Sequence, residues 1–445
     1  MNLRNKATSI RLLDFRCVPM RAFHMSWLAF FLCFFGWFGL APLMPVIRQE
    51  LHLTKEQVGN SIIASVAITV LARLLIGWLC DRIGPRRAYA WLLILGSLPV
   101  MGVGLAHDYT TFLIFRLAIG AIGASFVITQ FHTSVMFASN VVGSANAMAA
   151  GWGNLGGGVT QIVMPLLLAG FLSLGAGAWW GWRLAMIVPG VALFLTGIAY
   201  YRLTRDTADG DFKQLRAQGL IPTRSTAGGA FWEAFRDGRV WALAILYAAC
   251  FGMELTVDNI AALYFVDYFK LSLKAAGAAA GAFGMMNLFA RALGGIVSDR
   301  CFARWGLRGR TLLLAVTIAM EGLALVAFSQ ARALPLAIGC MLVTGLFIKM
   351  SNGATYAVVP FVNLRALGAV AGIVGAGGNL GAVAAGFLFK TSSLSWPQAL
   401  LILGVVVFAS SSLALLVSLP GHARGPGWQP ADRVALDPAS EARAT

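Results

Sequence analysis

Long apolar runs separated by short polar stretches dominate the pattern of the chain. Such runs occupy, for example, residues 25–46, 91–106 and 312–328. A helix that crosses the hydrocarbon core of a bilayer needs about 20 mostly apolar residues. The pattern predicts an all-α membrane protein with twelve spans, at residues 26–47, 57–80, 88–106, 110–136, 143–172, 182–203, 240–268, 274–298, 310–329, 333–360, 365–389 and 396–419.

A polar stretch divides these spans into two groups of six. It contains several charged residues and a Pro/Ser/Thr/Gly run at 222–229, which is typical of a linker. The end of the chain is rich in Pro, Gly, Ala and charge, which predicts disorder. The predicted divisions are an N-terminal segment (1–25), a first six-helix bundle (26–203), a cytoplasmic linker (204–239), a second bundle (240–419) and a disordered cytoplasmic tail (420–445).

Composition agrees with a membrane protein, since 58% of the residues are hydrophobic and only 12% are charged. A soluble domain carries about 25% charged residues. The net charge of +16 does not require a nucleic-acid partner, because 23 of the 34 Lys and Arg residues fall in the termini and even-to-odd loops, seven in the opposite loops and four inside spans. This positive-inside bias predicts a bacterial inner-membrane protein with both termini in the cytoplasm.

The sequence gives only weak signals for a cleaved signal peptide and for a cysteine-based cofactor site. The first apolar run is too long for a signal peptide, which predicts an uncleaved first helix. The six cysteines are scattered without the paired spacing of metal or redox sites. We therefore expect no metal or other cofactor.

The two halves repeat each other in sequence. The spacing R-x3-G-x3-D-R occurs in the second span and again in the eighth, 218 residues later, and Gly-Asn-Leu-Gly occurs at 153–156 and again at 378–381, 225 residues later. Such a duplication predicts two pseudo-symmetric six-helix halves with substrate near the midplane between them. The first repeat comprises Arg73, Gly77, Asp81 and Arg82, matched by Arg291, Gly295, Asp299 and Arg300.

The arginines of this repeat lie deep in the membrane. Arg73 precedes Asp81 by eight residues, which places it about 12 Å from the end of the helix. Arg291 has the same depth by the repeat, and an arginine there costs several kcal/mol. Two such residues predict a central site for a planar oxyanion, because a guanidinium presents a planar fork of donors. The alternative is that each arginine pairs with an acidic side chain.

Polar residues inside the glycine motifs and the seventh span add to this site. Asn154 and Asn379 either contact the anion or form bonds between helices, whereas the glycines around them allow close helix packing. In the seventh span Tyr247, Phe251, Glu254 and Asp258 follow at i, i+4, i+7 and i+11, and therefore share one helical face. Its two carboxylates either carry protons or neutralise nearby cations such as Lys349.

Three motifs carry a family resemblance. The segment GWLCDRIGPRR (77–87), with its shorter echo at 295–300, resembles the loop signature of the major facilitator superfamily. The segments AGWGNLGGGVTQ (150–161) and AGIVGAGGNLGAV (371–383) resemble the two nitrate signatures of its nitrate/nitrite porter family. The segment CFGMELTVDN (250–259) is similar to the seventh helix of the assimilatory, eukaryote-like branch.

The resemblance implies an anion site with defined members. In that family, arginines of spans two and eight bind the anion, rings on spans four and seven sandwich it, a tyrosine of span seven completes the pocket, and the signature asparagines take part. On this chain these positions are Arg73 and Arg291, Phe126 and Phe251, Tyr247, and Asn154 and Asn379. Phe131 is the alternative to Phe126, because the segment around them has no rigid motif.

The remaining polar residues of the spans receive other roles. Arg116 is interpreted as a fold or gating residue, together with Gly77, Asp81, Arg82, Gly295, Asp299 and Arg300. His132 is either a satisfied interhelical histidine or a proton relay. Lys349 is expected to line the central cavity together with Asn352, and Glu321 has no role in this interpretation.

The leading functional hypothesis is a secondary transporter that imports nitrate, and possibly nitrite, together with protons. Exchangers of the family tend to lack acids on the seventh helix, so Glu254 and Asp258 favour proton coupling. The alternatives are a nitrate/nitrite antiporter, an organic-anion porter and a transporter-like nitrate sensor. No nucleophile elbow or phosphate loop indicates an enzyme. We expect a functional monomer in the lipid bilayer.

Overall fold

The computed structural model describes residues 5–220, 227–271, 273–363, 366–390 and 394–417. Within these ranges the chain is helical, and its β-structure is limited to two isolated bridges, Ala7 with Phe137 and Thr207 with Gly210. The predicted tail, 420–445, and most of the Pro/Ser/Thr/Gly run of the linker lie outside the described residues.

The first half begins earlier than the apolar pattern predicts. Its first helix starts at Val18 rather than near residue 26, with Pro19 in the first turn, where a missing backbone N–H costs nothing. The helices are α1 (Val18–Phe38), α2 (Met44–Glu50), α3 (Lys55–Ile83), α4 (Pro85–Gly102), α5 (Tyr109–Gly120), α6 (Ser125–Met136), α7 (Val142–Ser173), α8 (Ala178–Leu203) and, in the linker, α9 (Phe212–Ala217) and α10 (Ala227–Arg236). A 3-10 turn at Ala121–Ala124 joins α5 to α6, so that they form one span.

The second half departs from the prediction at its eighth span, which a 3-10 turn at Met286–Leu288 interrupts just before Arg291. Its helices are α11 (Gly238–Phe269), α12 (Leu273–Met285), α13 (Ala290–Gln330), α14 (Leu334–Val362), α15 (Leu367–Lys390), α16 (Trp396–Ser410) and α17 (Ala414–Val417).

The described residues contain eleven helical stretches that are long and apolar enough to cross a membrane, against twelve predicted spans. The difference arises at α13, which joins the eighth and ninth spans in one stretch, 278–330. Gly306 breaks this stretch with φ 61° and ψ −151°. A Cβ on Gly309 would lie 2.3 Å from the carbonyl oxygen of Cys301, although eight residues of straight helix span about 12 Å. The chain therefore reverses direction at Gly306, as two spans require.

The side of the molecule that carries the linker is called the linker side below. Gly84 makes the one-residue turn from α3 to α4 there, with φ 87°, and a Cβ on it would lie 2.4 Å from Asp206. The Asp206 carboxylate accepts hydrogen bonds from the backbone N–H groups of Arg86 and Phe212, both at 2.9 Å. Burial raises the pKa of this carboxyl to about 6. The linker is thus fastened to the α3–α4 turn.

The two halves contact each other on the linker side through the duplicated motif. Gly77 of α3 faces Gly368 of α15 so closely that a Cβ on Gly77 would lie 2.4 Å from the Gly368 carbonyl oxygen. In the other half, a Cβ on Gly295 of α13 would lie 2.6 Å from the carbonyl oxygen of Gly143 in α7. Both glycines are therefore required for the close approach of helices from opposite halves.

The aspartates of the motif strengthen both contacts. Asp81 accepts hydrogen bonds from the backbone N–H groups of Gly368 (3.3 Å) and Ala369 (3.2 Å) in the first turn of α15. Asp299 accepts one from the backbone N–H of Ser144 (2.7 Å) in the first turn of α7. A carboxylate at a helix N-terminus pairs with free N–H groups and with the helix dipole. We call the two contacts the latches, since they close the linker side.

Packing is looser on the opposite side. A Cβ added at Gly59, Gly170, Gly281 or Gly386 would meet no atom within 4 Å. These four glycines belong to α3, α7, α12 and α15, the helices that lie near the boundary between the halves. The conformation is therefore closed at the linker side.

We expect Gly77→Ala to destabilise the protein by about 1–3 kcal/mol, because the added methyl group would overlap a backbone oxygen that cannot rotate away. Gly59→Ala on the same helix is the matched control and should be neutral or slightly stabilising, since Ala favours helix over Gly. Thermal unfolding of the purified protein in detergent measures both. Equal midpoints for the two variants would contradict the close approach at Gly77.

Candidate functional site

Arg73 and Arg291 meet at the centre of the molecule. Their side chains are 0% and 1% exposed. The guanidinium carbon of Arg73 lies 5.3 Å from the ring centroid of Phe126 and 5.0 Å from that of Phe251. The corresponding distances for Arg291 are 5.8 and 5.6 Å. The structure therefore brings the two repeat-related arginines to the same pair of aromatic rings.

Backbone carbonyls alone hold the guanidinium of Arg73. Its Nε and Nη2 donate to the carbonyl oxygen of Gly123, each at 3.3 Å, and its Nη1 donates to that of Gly375. Gly123 belongs to the first half and Gly375 to the second, so the side chain bridges both. No carboxylate in the described part of the chain pairs with Arg73. Its positive charge is therefore uncompensated.

Glu254 of α11 is the centre of a buried ionic network. Its carboxylate is about 1% exposed and accepts four hydrogen bonds. Two come from cations, Lys349 Nζ at 3.0 Å and Arg291 Nη2 at 3.3 Å. Two come from amides, Asn287 Nδ2 at 2.7 Å and Asn352 Nδ2 at 2.6 Å. These donors stabilise the ionised form of the carboxylate.

Arg291 retains donors that this network does not use. Its Nη2 pairs with Glu254, whereas Nε and Nη1 are buried without any hydrogen-bond partner among the described residues. Buried donors of this kind are costly unless a ligand or water satisfies them. The free edge of Arg291, together with the uncompensated charge of Arg73, therefore marks a binding position for an anion.

Three of the aromatic rings are nearly parallel. The rings of Tyr247 and Phe251 lie 5.0 Å apart at 4°, and Phe126 faces each of them at 5.8 Å and 14°. The space between Phe126 and the other two rings is called the slot below. Tyr356 closes its edge, with ring centroids 4.6 Å from Phe126. Phe131, the alternative to Phe126, instead contacts Phe212 of the linker at 6.4 Å. Phe126 is therefore the ring that shares the arginine site.

Glycine makes room for the slot. A Cβ on Gly378 would lie 2.7 Å from the Tyr247 ring and 2.8 Å from the Phe251 ring. The Gly-Asn-Leu-Gly motif of α15 thus lets two aromatic side chains reach the centre.

The signature asparagines differ in their contacts. Asn379 donates from Nδ2 to the carbonyl oxygen of Val66 at 3.3 Å, which links α15 to α3 across the halves. Asn154 is 4% exposed, and neither its Nδ2 nor its Oδ1 has a partner in the described structure. Asn379 therefore has an interhelical role, while Asn154 remains available to a ligand.

The residues that share one face of α11 differ in burial. Tyr247, Phe251 and Glu254 are buried together, whereas Asp258, one turn further toward the opposite side, is exposed. Asp258 forms no ion pair with another described residue. The two carboxylates of this helical face are therefore in different environments.

Two side chains of the site were not predicted as members: Tyr356 lines the slot, and Asn287 binds Glu254. Asn352, expected with Lys349 to line the cavity, also binds Glu254. Lys349, Asn352 and Tyr356 follow at i, i+3 and i+7 of α14, a helical face that indicates a common surface. Asn287 gives no comparable signal, because it lies in the 3-10 turn that interrupts the eighth span.

Other singled-out residues lie away from the slot. Arg116 donates to Ser65 Oγ at 3.1 Å and to the Trp37 carbonyl oxygen at 3.4 Å, within the first half. His132 bonds to Tyr200 Oη and, at 2.7 Å, to the carbonyl oxygen of Arg205. Both ring nitrogens of His132 therefore have partners, as a satisfied interhelical histidine requires.

The outer arginines of the motif stay near the linker side. The guanidinium of Arg82 stacks 5.0 Å from the Trp78 ring, and Arg300 is exposed.

Known proteins resemble the chain in sequence. Residues 26–363 match the Major Facilitator Superfamily. The high affinity nitrate transporter 2.5 of Arabidopsis thaliana is 40% identical over 94% of this chain and 84% of its own length. The nitrate/nitrite transporter NrtP of Nostoc punctiforme is 30% identical over 82% of this chain and 85% of its own length. The chain belongs to the nitrate/nitrite porter family of the major facilitator superfamily. The family predicted from the three motifs is thus confirmed.

A solved structure of the same superfamily has the same fold. The proton:xylose symporter XylE, bound to 6-bromo-6-deoxy-D-glucose, matches 90% of this chain and 94% of its own chain with a TM-score of 0.71 at 15% identity. The predicted major facilitator fold is therefore confirmed, and this porter is a multi-pass membrane protein.

We expect Glu254→Gln to destabilise the porter by about 3–5 kcal/mol, because it leaves Lys349 and Arg291 buried without a counter-ion. Asp258→Asn is the matched control: it removes the same charge one turn away, from a side chain that forms no ion pair among the described residues, and should destabilise the porter less than Glu254→Gln does. Thermal unfolding at neutral pH compares the two. Similar losses in both variants would show that the network does not stabilise the fold.

Proposed function

We propose that this porter imports nitrate through the central site, with Arg73 and Arg291 as its main ligands. The observation that carries the proposal is the pair of unsatisfied Arg291 donors beside the uncompensated Arg73, both at the same two rings. The family membership supports nitrate as the anion, since the plant relative is named a high affinity nitrate transporter.

The charges of the site sum to +2, an excess of positive charge that favours an anion. Arg73, Arg291 and Lys349 contribute three positive charges, and Glu254 contributes one negative charge. A planar oxyanion can accept two parallel hydrogen bonds from the free edge of Arg291. Asn154 and the hydroxyl of Tyr247, which is buried without a partner among the described residues, are further donors. Binding then satisfies groups that are otherwise unpaired.

The aromatic slot must widen to receive the ion. Carbon atoms in contact lie about 3.5 Å apart, so an ion sandwiched between two rings needs them about 7 Å apart. The present separation of Phe126 from Phe251 is 5.8 Å. Since Phe126 belongs to the first half and Phe251 to the second, widening the slot requires movement of one half against the other. Such rocking around a fixed site is alternating access.

Proton coupling follows from the sharing of Arg291. When the anion takes this guanidinium, Glu254 loses one of its two cations and the surrounding second half gains a negative charge. Proton uptake by a carboxylate of that half compensates for it. The basic residues of the linker side support a cytoplasmic location for that side. A cytoplasm-negative potential opposes anion import by about 2.3 kcal/mol per charge per 100 mV, so more than one proton is required.

Exchange of nitrate for nitrite is the second candidate. The cyanobacterial relative is named a nitrate/nitrite transporter, and nitrite is also planar and monovalent. One chain supplies both arginines and all the rings of the site, so a monomer is sufficient for either process.

Uptake of labelled nitrate into proteoliposomes tests the proposal. The protein is reconstituted with an imposed inward proton gradient and a membrane potential. The control uses the same vesicles with equal pH inside and outside. Accumulation that needs the proton gradient supports import with protons. Movement only against internal nitrite would replace it by the exchanger, and no movement of either ion would refute the substrate.

We expect Arg73→Lys to weaken nitrate binding about 10- to 100-fold, because a lysine cannot bridge the two carbonyl groups and also present a planar fork to the anion. Arg239→Lys is the matched control: Arg239 pairs with Asp237 at the linker-side end of α11, far from the slot, and should bind nitrate normally. Calorimetric titration with nitrate gives both affinities. Unchanged binding by Arg73→Lys would remove this residue from the site.

A further inference from the structure

Glu321 is a second buried acid near the ionic network. It lies in the part of α13 that follows Gly306 and is 0% exposed. Neither of its carboxylate oxygens has a hydrogen-bond partner among the described residues, although the side chain of Ser351 lies beside it. The next residue, Gly322, packs closely against Phe408 of α16, so that a Cβ added there would lie 2.5 Å from the Phe408 backbone nitrogen.

The groups that face Glu321 come from three helices. Ser351 belongs to α14, and Glu254 and Cys250 of α11 lie within electrostatic range. α16 contacts the adjacent Gly322 through the backbone and Cβ of Phe408. Among these neighbours Glu254 is the only charged one, and its charge repels a second carboxylate.

The two acids are therefore expected to differ in ionisation. Glu254 has four donors, two of them cationic, and is stable as a carboxylate. Glu321 has none, and an ionised carboxylate in such a place is strongly disfavoured. Glu321 accordingly holds a proton in this closed conformation.

We propose that Glu321 is the proton-binding site of the transport cycle, and that its proton moves with nitrate. The proposal rests on the proposed function and names a group that the binding site itself does not use. In the step, the O–H bond of the Glu321 carboxyl group breaks, its electron pair stays on the carboxylate, and the proton passes to water on the linker side after the latches open. A proton from the opposite side restores the acid in the next cycle.

Ser351 and Glu254 connect this acid to the anion. Ser351 adjoins Asn352, which donates to Glu254, and Glu254 shares Arg291 with the anion. Nitrate adds negative charge and withdraws a cation from Glu254, so Glu321 binds its proton more tightly while nitrate is present. By linkage, protonated Glu321 favours nitrate to the same extent. This mutual preference is the condition for symport.

The experiment compares wild type with Glu321→Gln, which mimics the protonated acid. Nitrate affinity of the wild type should fall as pH rises, by up to about tenfold per pH unit for one linked proton. The variant should bind nitrate with an affinity that does not depend on pH. In proteoliposomes it should keep nitrate counterflow within about twofold of wild type and lose accumulation driven by the proton gradient. Ser329→Ala, on the same helix with local bonds to the Val326 carbonyl oxygen and from the side chain of Gln330, is the matched control and should behave as wild type.

Other outcomes overturn the proposal or concern a different claim. Glu321→Gln that still accumulates nitrate with the pH dependence of wild type refutes the role of Glu321. Infrared spectra of the wild type provide a second test that does not need a folded Gln variant: a carbonyl band of a protonated carboxylic acid that shifts in Glu321→Asp supports the assignment, and a band that does not respond refutes it. If the wild type itself shows no proton-driven accumulation, the proposed function fails, while the infrared result still decides whether Glu321 holds a proton.

Discussion

The main constraint on the structure is electrostatic. Three cations are buried in the middle of a membrane protein, and a single carboxylate of the described residues contacts two of them. Arg73, Arg291 and Lys349 are all at most 1% exposed, and Glu254 is the one carboxylate of the described residues that pairs with any of them. Charge buried in this way is tolerated only with dense polar contacts. The carbonyl groups around Arg73, the amides around Glu254 and the rings beside both arginines meet this need. A monovalent anion in the slot would lower the remaining charge from +2 to +1.

The same two helices carry both the site and the closure of the linker side. Arg73 and Asp81 lie eight residues apart on α3, and Arg291 and Asp299 are equally spaced on α13. About 12 Å of helix therefore joins each arginine to the latch aspartate of the same helix. A helix of this length moves as a rigid rod. In the proposed cycle, displacement of either arginine by the anion would be transmitted to the contact of Asp81 with α15 or of Asp299 with α7.

Much of the architecture was readable because membrane spans and repeats leave strong linear signals. Apolar length gave the number of spans, and the duplicated motif located both arginines. The interruption at Met286–Leu288 was not readable, since no proline marks it and the flanking residues are apolar. The start of the first helix at Val18 was not predicted. The residues before the apolar run include several basic ones, so the pattern gave no sign that the helix begins ahead of the run.

The site was predictable only as far as its members repeat or share a helical face. Tyr247, Phe251 and Glu254 were grouped by their spacing, and the structure buries them together. The separation of Asp258 from them depends on the local environment of one turn of α11, which spacing does not encode. The partners of Lys349 and the position of Glu321 depend on how α11, α13 and α14 pack, which is a property of the tertiary fold.

The contrast between the two arginines bears on how such a porter can evolve. Carbonyl oxygens hold Arg73, and every amino acid supplies the same oxygen, so point mutation of its neighbours leaves that half of the site chemically constant. Side chains hold Arg291, and each of them can be exchanged. Natural variation in cargo and in energy source should therefore accumulate in the second half of the duplicated chain, while the first half preserves the ancestral anchor.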